Sequence, residues 1–209
     1  MNLVREIVQD PIVATSETAP ELAAIEDGER AAAIWRRQRP SADQEWLDRL
    51  DPSQLPATRE VVKLDAIEAA VTRACVRAET PDCAARARLV EDVVMLAGTF
   101  SALLPSPYLR LRLDVVQSNA CRKFHIDAVR ARLICTYRGT GTQYGVAMDG
   151  DDPQEIFTVP TGAPIVLKGT LWPGARETGM LHRSPPIAGT GETRLMLVLD
   201  PIFDLEDAD

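Results

Sequence analysis

Cys121-Arg122-Lys123-Phe124-His125-Ile126-Asp127 is the stretch on which the fold turns. Along a β-strand, residues two apart share a face. His125 and Asp127 therefore present an imidazole and a carboxylate side by side. The chain holds one other histidine, His182, in Leu181-His182-Arg183-Ser184-Pro185-Pro186. Two imidazoles and one carboxylate make the facial set that holds non-haem Fe(II) with positions left open. The same donors suit Mn(II) and Zn(II). His125, Asp127 and His182 are the expected metal ligands. By itself His-x-Asp is short and common. It equally describes two hydrogen-bonded histidines and an aspartate paired with an arginine.

The surrounding sequence says which setting applies. Between Asp127 and His182 lie 54 residues. A double-stranded β-helix fills such an interval with a few strands before the chain returns to the barrel mouth. Pro105-Ser106-Pro107 marks a boundary, and Leu109, Leu111, Leu113 and Val115 then alternate with Arg110, Arg112 and Asp114. That is the period of a half-buried strand. Residues 130–137 read as a strand, Gly139-Thr140-Gly141 as a turn and Gln143 to Ala147 as a short return strand. Residues 148–153 are acidic and loop-like. Ile156 to Val159 and Pro164 to Lys168 flank a Pro160-Thr161-Gly162 turn, Trp172-Pro173-Gly174 opens a loop, and Thr193 to Leu199 is a buried run ending at Asp200-Pro201. Many short strands with Gly/Pro turns point to a sandwich or barrel.

Upstream the pattern is different. Leu3 to Val8 reads as a short strand, and Ala31 to Trp35 as a strand or a buried helical turn. Ser41 is placed to cap a helix running to Leu50. Asp65 opens a helix with Ile67, Ala70, Val71, Ala74 and Cys75 on one face. Thr80-Pro81 reads as the start of another, with Ala84, Leu89, Val93, Val94 and Leu96 as its apolar stripe to about Leu104. The expected fold is α+β: a double-stranded β-helix, or jelly roll, over residues 108–209 with a short acidic tail, and a mainly helical lobe over 1–107 packed on one sheet.

Bulk properties exclude some functions. The chain has 209 residues, enough for a sizeable core. Its net charge is -8 and no Lys/Arg-rich run appears, which argues against nucleic acid as a partner. No apolar run is long enough to span a membrane, and the N-terminus lacks the form of a signal peptide. A cytoplasmic protein is expected. The four cysteines, Cys75, Cys83, Cys121 and Cys135, form no C-x-x-C pair and are read as free thiols.

From Gly162 to Leu195 the order is turn, apolar strand to Lys168-Gly169, His182, Ser184-Pro185-Pro186, then Gly189-Thr190-Gly191 leading into Thr193-Arg194-Leu195. This resembles the C-terminal half of the Fe(II)/2-oxoglutarate-dependent oxygenases. In that superfamily an arginine shortly after the second histidine binds the far carboxylate of 2-oxoglutarate. Arg194, 12 residues after His182, stands at that position, and a guanidinium grips a carboxylate bidentately. A small hydroxyl residue usually follows two positions on; here it is Met196. The blocks Cys121–Asp127, Arg132–Gly139, Pro160–Gly162, Lys168-Gly169, His182–Pro186 and Gly189–Leu195, with Ile34–Arg37 more loosely, also resemble the bacterial family DUF1826. That resemblance implies a role in zinc or metal homeostasis and a functional link to a zinc metallochaperone GTPase. It sets Zn(II) beside Fe(II) for the same ligands. An enzyme using Fe(II) and 2-oxoglutarate on a small-molecule or protein substrate, and a zinc-binding protein without redox chemistry, both follow.

Cys121 bears on the metal. An even spacing from His125 puts it on the same face of a continuous strand, though ~13 Å away. A bend at Asn119-Ala120 would bring it nearer, and a thiolate ligand favours zinc. A small buried core side chain is the alternative. Tyr137 and Lys168 are further candidates to bind the cosubstrate carboxylate from barrel strands. Arg132 lies on the face opposite Leu133, Cys135 and Tyr137, and the sequence leaves open which face sees the cavity. Trp172 is either a pocket wall or a residue packed on the barrel rim.

Overall fold

The computed structural model describes residues 4–5, 12–147, 151–174 and 176–208. Its strands are β1 (Val4–Arg5), β2 (Val13–Ser16), β3 (Ala32–Trp35), β4 (Thr58–Val62), β5 (Tyr108–Val116), β6 (Ala131–Arg138), β7 (Gln143–Val146), β8 (Ile156–Thr158), β9 (Pro164–Lys168), β10 (Met180–Arg183) and β11 (Arg194–Ile202). The α-helices among these residues are α1 (Ser41–Arg49), α2 (Ile67–Arg77) and α3 (Ala84–Leu103). Most of the expected strand at Leu3–Val8 and part of the acidic loop at 148–153 lie outside the described residues.

Alternation along β5 builds the core. Leu109, Leu111 and Leu113 are buried on one face, and Arg110, Arg112 and Asp114 take the other. β11 pairs antiparallel with β5 over its whole length, from Arg194 opposite Val116 to Ile202 opposite Tyr108, and with β6 on its other edge. The full order is β2-β3-β9-β6-β11-β5-β4. A second sheet, β1-β8-β7-β10, faces the first without closing a barrel. Every residue of β11 is buried, because helices cover one face of its sheet and the smaller sheet covers the other. This is why it reads as a continuous apolar run. The architecture is the expected α+β jelly roll with helices on one sheet.

Two apolar layers result. The outer one joins α1, α2 and α3 to Leu109, Leu111, Leu113, Leu133, Leu195, Leu197 and Leu199. The inner one lies between the sheets and contains Ile134, Tyr144, Phe157, Ile165, Leu167, Met196 and Val198. Burying one such leucine contributes roughly 1.5–3 kcal/mol. In α2 the buried residues are Ile67, Ala70, Val71, Ala74 and Cys75, the face that the sequence predicts.

The elements differ from expectation in three places. Thr80-Pro81 does not start α3, which begins at Ala84. Thr80 instead closes α2: its N–H donates to the Cys75 carbonyl at 2.9 Å, after Glu79 adopts φ 52°, and its hydroxyl donates to the Gln54 carbonyl at 2.7 Å. Ser41 is the first residue of α1, with Pro40 in the capping position. Finally, β2, β3 and β4 all come from the first 107 residues and hydrogen-bond into the large sheet. The division at 107/108 marks a change from helix-rich to strand-rich sequence within one continuous sheet.

All four cysteines are free thiols. No helix among the described residues is long and apolar enough to cross a membrane.

Candidate metal centre

The centre starts from a backbone exchange. His125 and His182 donate their N–H groups to each other's carbonyl, both at 3.0 Å. They form an isolated antiparallel bridge at the edge of β10. This pairing fixes the two side chains as neighbours, with ring centroids 4.5 Å apart. Asp127 is held by a second set of backbone bonds. Thr170 N–H donates to the Asp127 carbonyl at 3.0 Å, and Gly169 N–H to the Arg130 carbonyl at 2.9 Å. Glycine is needed for this approach, because a Cβ at position 169 would stand 2.0 Å from the Val129 carbonyl oxygen.

The side chains converge. Asp127 Oδ1 is 3.5 Å from His125 Nε2, and Oδ2 is 3.0 Å from His182 Nε2. One ligand atom from each of the three residues lies within 4.8 Å of the others. His125 Nδ1 stands 2.8 Å from the Lys123 carbonyl. That contact assigns the proton to Nδ1 and leaves the Nε2 lone pair for the centre. Burial alone would push the Asp127 carboxyl up, but His182, Arg132 and His125 outweigh it and hold the pKa down to about 2. Burial lowers the His182 pKa against the pull of Asp127. An ionised Asp127 and a His182 whose neutral form is favoured are what a divalent cation requires of its ligands. Oδ2 of Asp127 is buried and meets no donor in hydrogen-bonding geometry. A cation between the two Nε2 atoms would satisfy it, so the donor set fits Fe(II), Mn(II) or Zn(II).

Arg132 stands behind the carboxylate. Its Nη1 is 2.5 Å from Asp127 Oδ1, while Nε and Nη2 donate to Asp200 Oδ1 and Oδ2 at 2.6 and 2.9 Å. The open question about β6 is thereby answered: Arg132, Ile134 and Thr136 face inward, and Leu133, Cys135 and Tyr137 face the helices. Asp200, which the sequence reading treated only as the end of a run, is the buried anchor of this pair.

Arg194 occupies the first inward position of β11, followed on the same face by Met196 and Val198. Met196 and Val198 line one cavity of about 210 Å³ together with His125 and His182. Arg194 itself is fully buried. Its Nε donates to the Thr140 carbonyl at 2.6 Å and Nη2 to Thr136 Oγ1 at 3.4 Å. Nη1 is buried with no partner. Burial lowers the pKa of this guanidinium to about 10, still charged at neutral pH.

Two other candidates are placed elsewhere. Tyr137 points away from the cavity into the helical layer, where its hydroxyl donates to Asp92 Oδ2 at 2.7 Å. Odd-numbered positions of β6 face the helices, so this strand register forbids the cosubstrate role expected for it. Lys168 lies at the end of β9; its Nζ donates to the Asp27 carbonyl at 2.9 Å and sits 5.0 Å above the Trp172 ring. It lines a separate cavity of about 310 Å³ that meets the centre only through His182. Trp172 packs against the outer apolar layer. Cys121 is exposed and lines the smaller cavity, but does not join the three-residue cluster.

A family model described as a protein of unknown function, DUF1826, matches residues 16–200. No curated protein matches the sequence. Among solved structures, a rice dioxygenase for auxin oxidation aligns with a TM-score of 0.53 at 14% identity, over 92% of this chain and 83% of the other. Dioxygenase for auxin oxidation 1 from Arabidopsis thaliana, in complex with 2-oxoglutarate, aligns with a TM-score of 0.53 at 13% identity, over 93% of each chain. A 2OG-Fe(II) oxygenase family oxidoreductase from Burkholderia pseudomallei aligns at 0.45, with 14% identity, over 92% of this chain and 94% of the other. At such low identity, the two alignments at 0.53 show a shared fold and nothing finer.

Proposed function

The chain belongs to the DUF1826 family, and on that premise we propose that it is an Fe(II)- and 2-oxoglutarate-dependent oxygenase. One observation carries the reading. A buried arginine with an unpaired Nη1, Arg194, stands on the inner face of the strand whose next inward residues wall the His125–Asp127–His182 cavity. A buried donor without a partner costs about 1–3 kcal/mol, and a carboxylate from outside the chain would satisfy it.

Fe(II), when bound, supplies the redox chemistry by which oxygen acts on 2-oxoglutarate and on a second substrate. The chain does the rest. His125, Asp127 and His182 would hold the metal. The Lys123 carbonyl fixes the His125 tautomer, and Arg132 keeps Asp127 ionised and oriented. Arg194 takes the far carboxylate of 2-oxoglutarate, and Ile134, Met196 and Val198 form an apolar wall that limits water.

Calorimetry without oxygen tests this. With Fe(II) present, 2-oxoglutarate is expected to bind wild-type protein, and Arg194→Gln is expected to weaken that binding at least tenfold. Absent binding, or binding indifferent to Arg194, overturns the proposal. The same titration with Zn(II) separates it from a zinc-holding role.

A further inference from the structure

We propose that Arg59 and Arg112 form an anion seat in the metal cavity, separate from Arg194, and that the substrate is a small organic acid whose carboxylate or phosphate group docks there. The substrate part rests on the oxygenase reading; the seat itself does not.

The sheet register sets the two guanidinium groups side by side. Arg59 on β4 pairs with Arg112 on β5, and Arg112 pairs with Val198 on β11. Both arginines line the same cavity as Val198, His125 and His182. The alternation of β5 reads in the sequence as a polar face turned to water, but in the fold that face is the cavity wall.

The charges there are not balanced. Arg132 is saturated by Asp127 and Asp200. Arg112 is only 17% exposed, makes no hydrogen bond from its buried Nε, and has its nearest carboxylate, Asp114 Oδ2, at 3.6 Å. Among the described residues no hydrogen bond or ion pair reaches Arg59. Like charges directly opposite on paired strands are destabilising. Burial, together with Arg132 and Arg59, accordingly lowers the Arg112 pKa. Arg112 keeps one long ion pair, to Asp114, and Arg59 is exposed beside it, so the two guanidinium groups carry more positive charge than the carboxylate next to them offsets, and an anion would neutralise it.

2-Oxoglutarate does not account for that anion. Of its two carboxylates, one belongs at the metal and the other at Arg194. Arg112 and Arg59 are left over, beside the metal, for a second molecule. A guanidinium fork matches a carboxylate or a phosphate, and a hydrogen bond to either is charge-assisted. A cavity of about 210 Å³ admits a small acid.

The test uses full-length protein loaded with Mn(II) and saturating 2-oxoglutarate without oxygen. Benzoate, inorganic phosphate and neutral benzamide are titrated in turn by calorimetry. At least one anion is expected to bind while benzamide does not; whichever binds distinguishes a carboxylate head from a phosphate head. Arg112→Gln should weaken that anion at least tenfold, Arg112→Lys less, and neither should change 2-oxoglutarate affinity more than twofold. In chloride buffer Arg112→Gln should melt at or above the wild-type temperature, because a repulsive charge has gone. Binding of neither anion, competition between anion and 2-oxoglutarate, or an Arg112→Gln loss of 2-oxoglutarate affinity like that of Arg194→Gln overturns the proposal. Should 2-oxoglutarate fail to bind wild-type protein, the oxygenase reading falls, and the anion titration on the Mn(II) protein still decides the seat.

Discussion

Arg132 holds Asp127 through Oδ1, the oxygen that also stands 3.5 Å from His125 Nε2, with Nη1 at 2.5 Å, while the rest of its guanidinium grips Asp200. Asp200 has a side chain only 1% exposed. Removing the arginine alone leaves a buried carboxylate without its partner, at a cost of roughly 3–5 kcal/mol. Arg132→Met should destabilise by that amount in chemical denaturation. The double variant Arg132→Met/Asp200→Leu should recover most of the loss, since an apolar pair replaces an ionic one. Metal affinity should stay about 10–100-fold down in the double variant, because Asp127 has lost what orients it. A single variant within 1 kcal/mol of wild type would show that the pair is not buried as described.

His125→Ala and His182→Ala each remove one of three protein ligands. Wild-type protein purified without added metal should carry a divalent cation on elemental analysis, and either variant should carry little. Asp127→Ala should do the same. His125 and His182 also pair through their backbones, which alanine preserves, so circular dichroism of the variants should match wild type. Metal retention in all three would place the cation elsewhere.

Arg194→Met removes a buried guanidinium of which one nitrogen has no partner. Without cosubstrate the variant should be about as stable as wild type, within ~1 kcal/mol, since the lost bonds to Thr140 and Thr136 are offset by lost desolvation. With 2-oxoglutarate at a hundred times its wild-type Kd, wild type should gain about 2.7 kcal/mol. The variant should gain almost none. Equal gains in the two proteins would remove Arg194 from the site.

These expectations also show what was legible in the sequence. The β5 alternation, the α2 face and the His-x-Asp spacing are local, and each survives in the fold because one periodicity decides it. The β6 facing was not legible. Both faces of that strand are buried, so its residues carry no in-and-out pattern, and Tyr137 looks no different from a cavity residue. Lys168 failed for a related reason: it is the last residue of β9, and its side chain reaches out to the Asp27 carbonyl. Arg112 and Asp200 were missed because a polar residue in a strand reads as solvent-facing or terminal. Only the register, Arg112 opposite Val198 and Asp200 opposite Arg110, turns them inward.

Tyr137→Phe separates the two faces of β6. The tyrosine hydroxyl donates to Asp92, which Arg37 also grips through both oxygens. Burial is the main cause that raises the phenol pKa well above its usual value, and the neighbouring carboxylate adds to it, so the group is a neutral donor. Loss of a bond to a charged acceptor should cost roughly 1.5–3 kcal/mol. Metal and 2-oxoglutarate affinities should be unchanged within twofold. A specific fall in 2-oxoglutarate affinity, with stability intact, would return Tyr137 to the cavity.

The centre also sets the acid sensitivity of the metal-free protein, in two windows. Burial lowers the His182 pKa from its ordinary 6.5. The unfolded chain therefore takes up that proton before the folded one does, and stability falls as pH drops below about 6.5. Asp127 is lowered from 3.8 to about 2. Its contribution is whole above pH 3.8 and is lost only as pH falls toward 2. Between pH 6.5 and 4 the decline belongs to His182 and not to Asp127. The melting temperature of metal-free wild type should fall from pH 7.5 to 5, and His182→Gln should flatten that slope even if it lowers the whole curve. Asp127→Asn should lack the further loss that wild type shows below pH 4. Identical slopes for wild type and His182→Gln between pH 7.5 and 5 would mean that a different group takes up the proton.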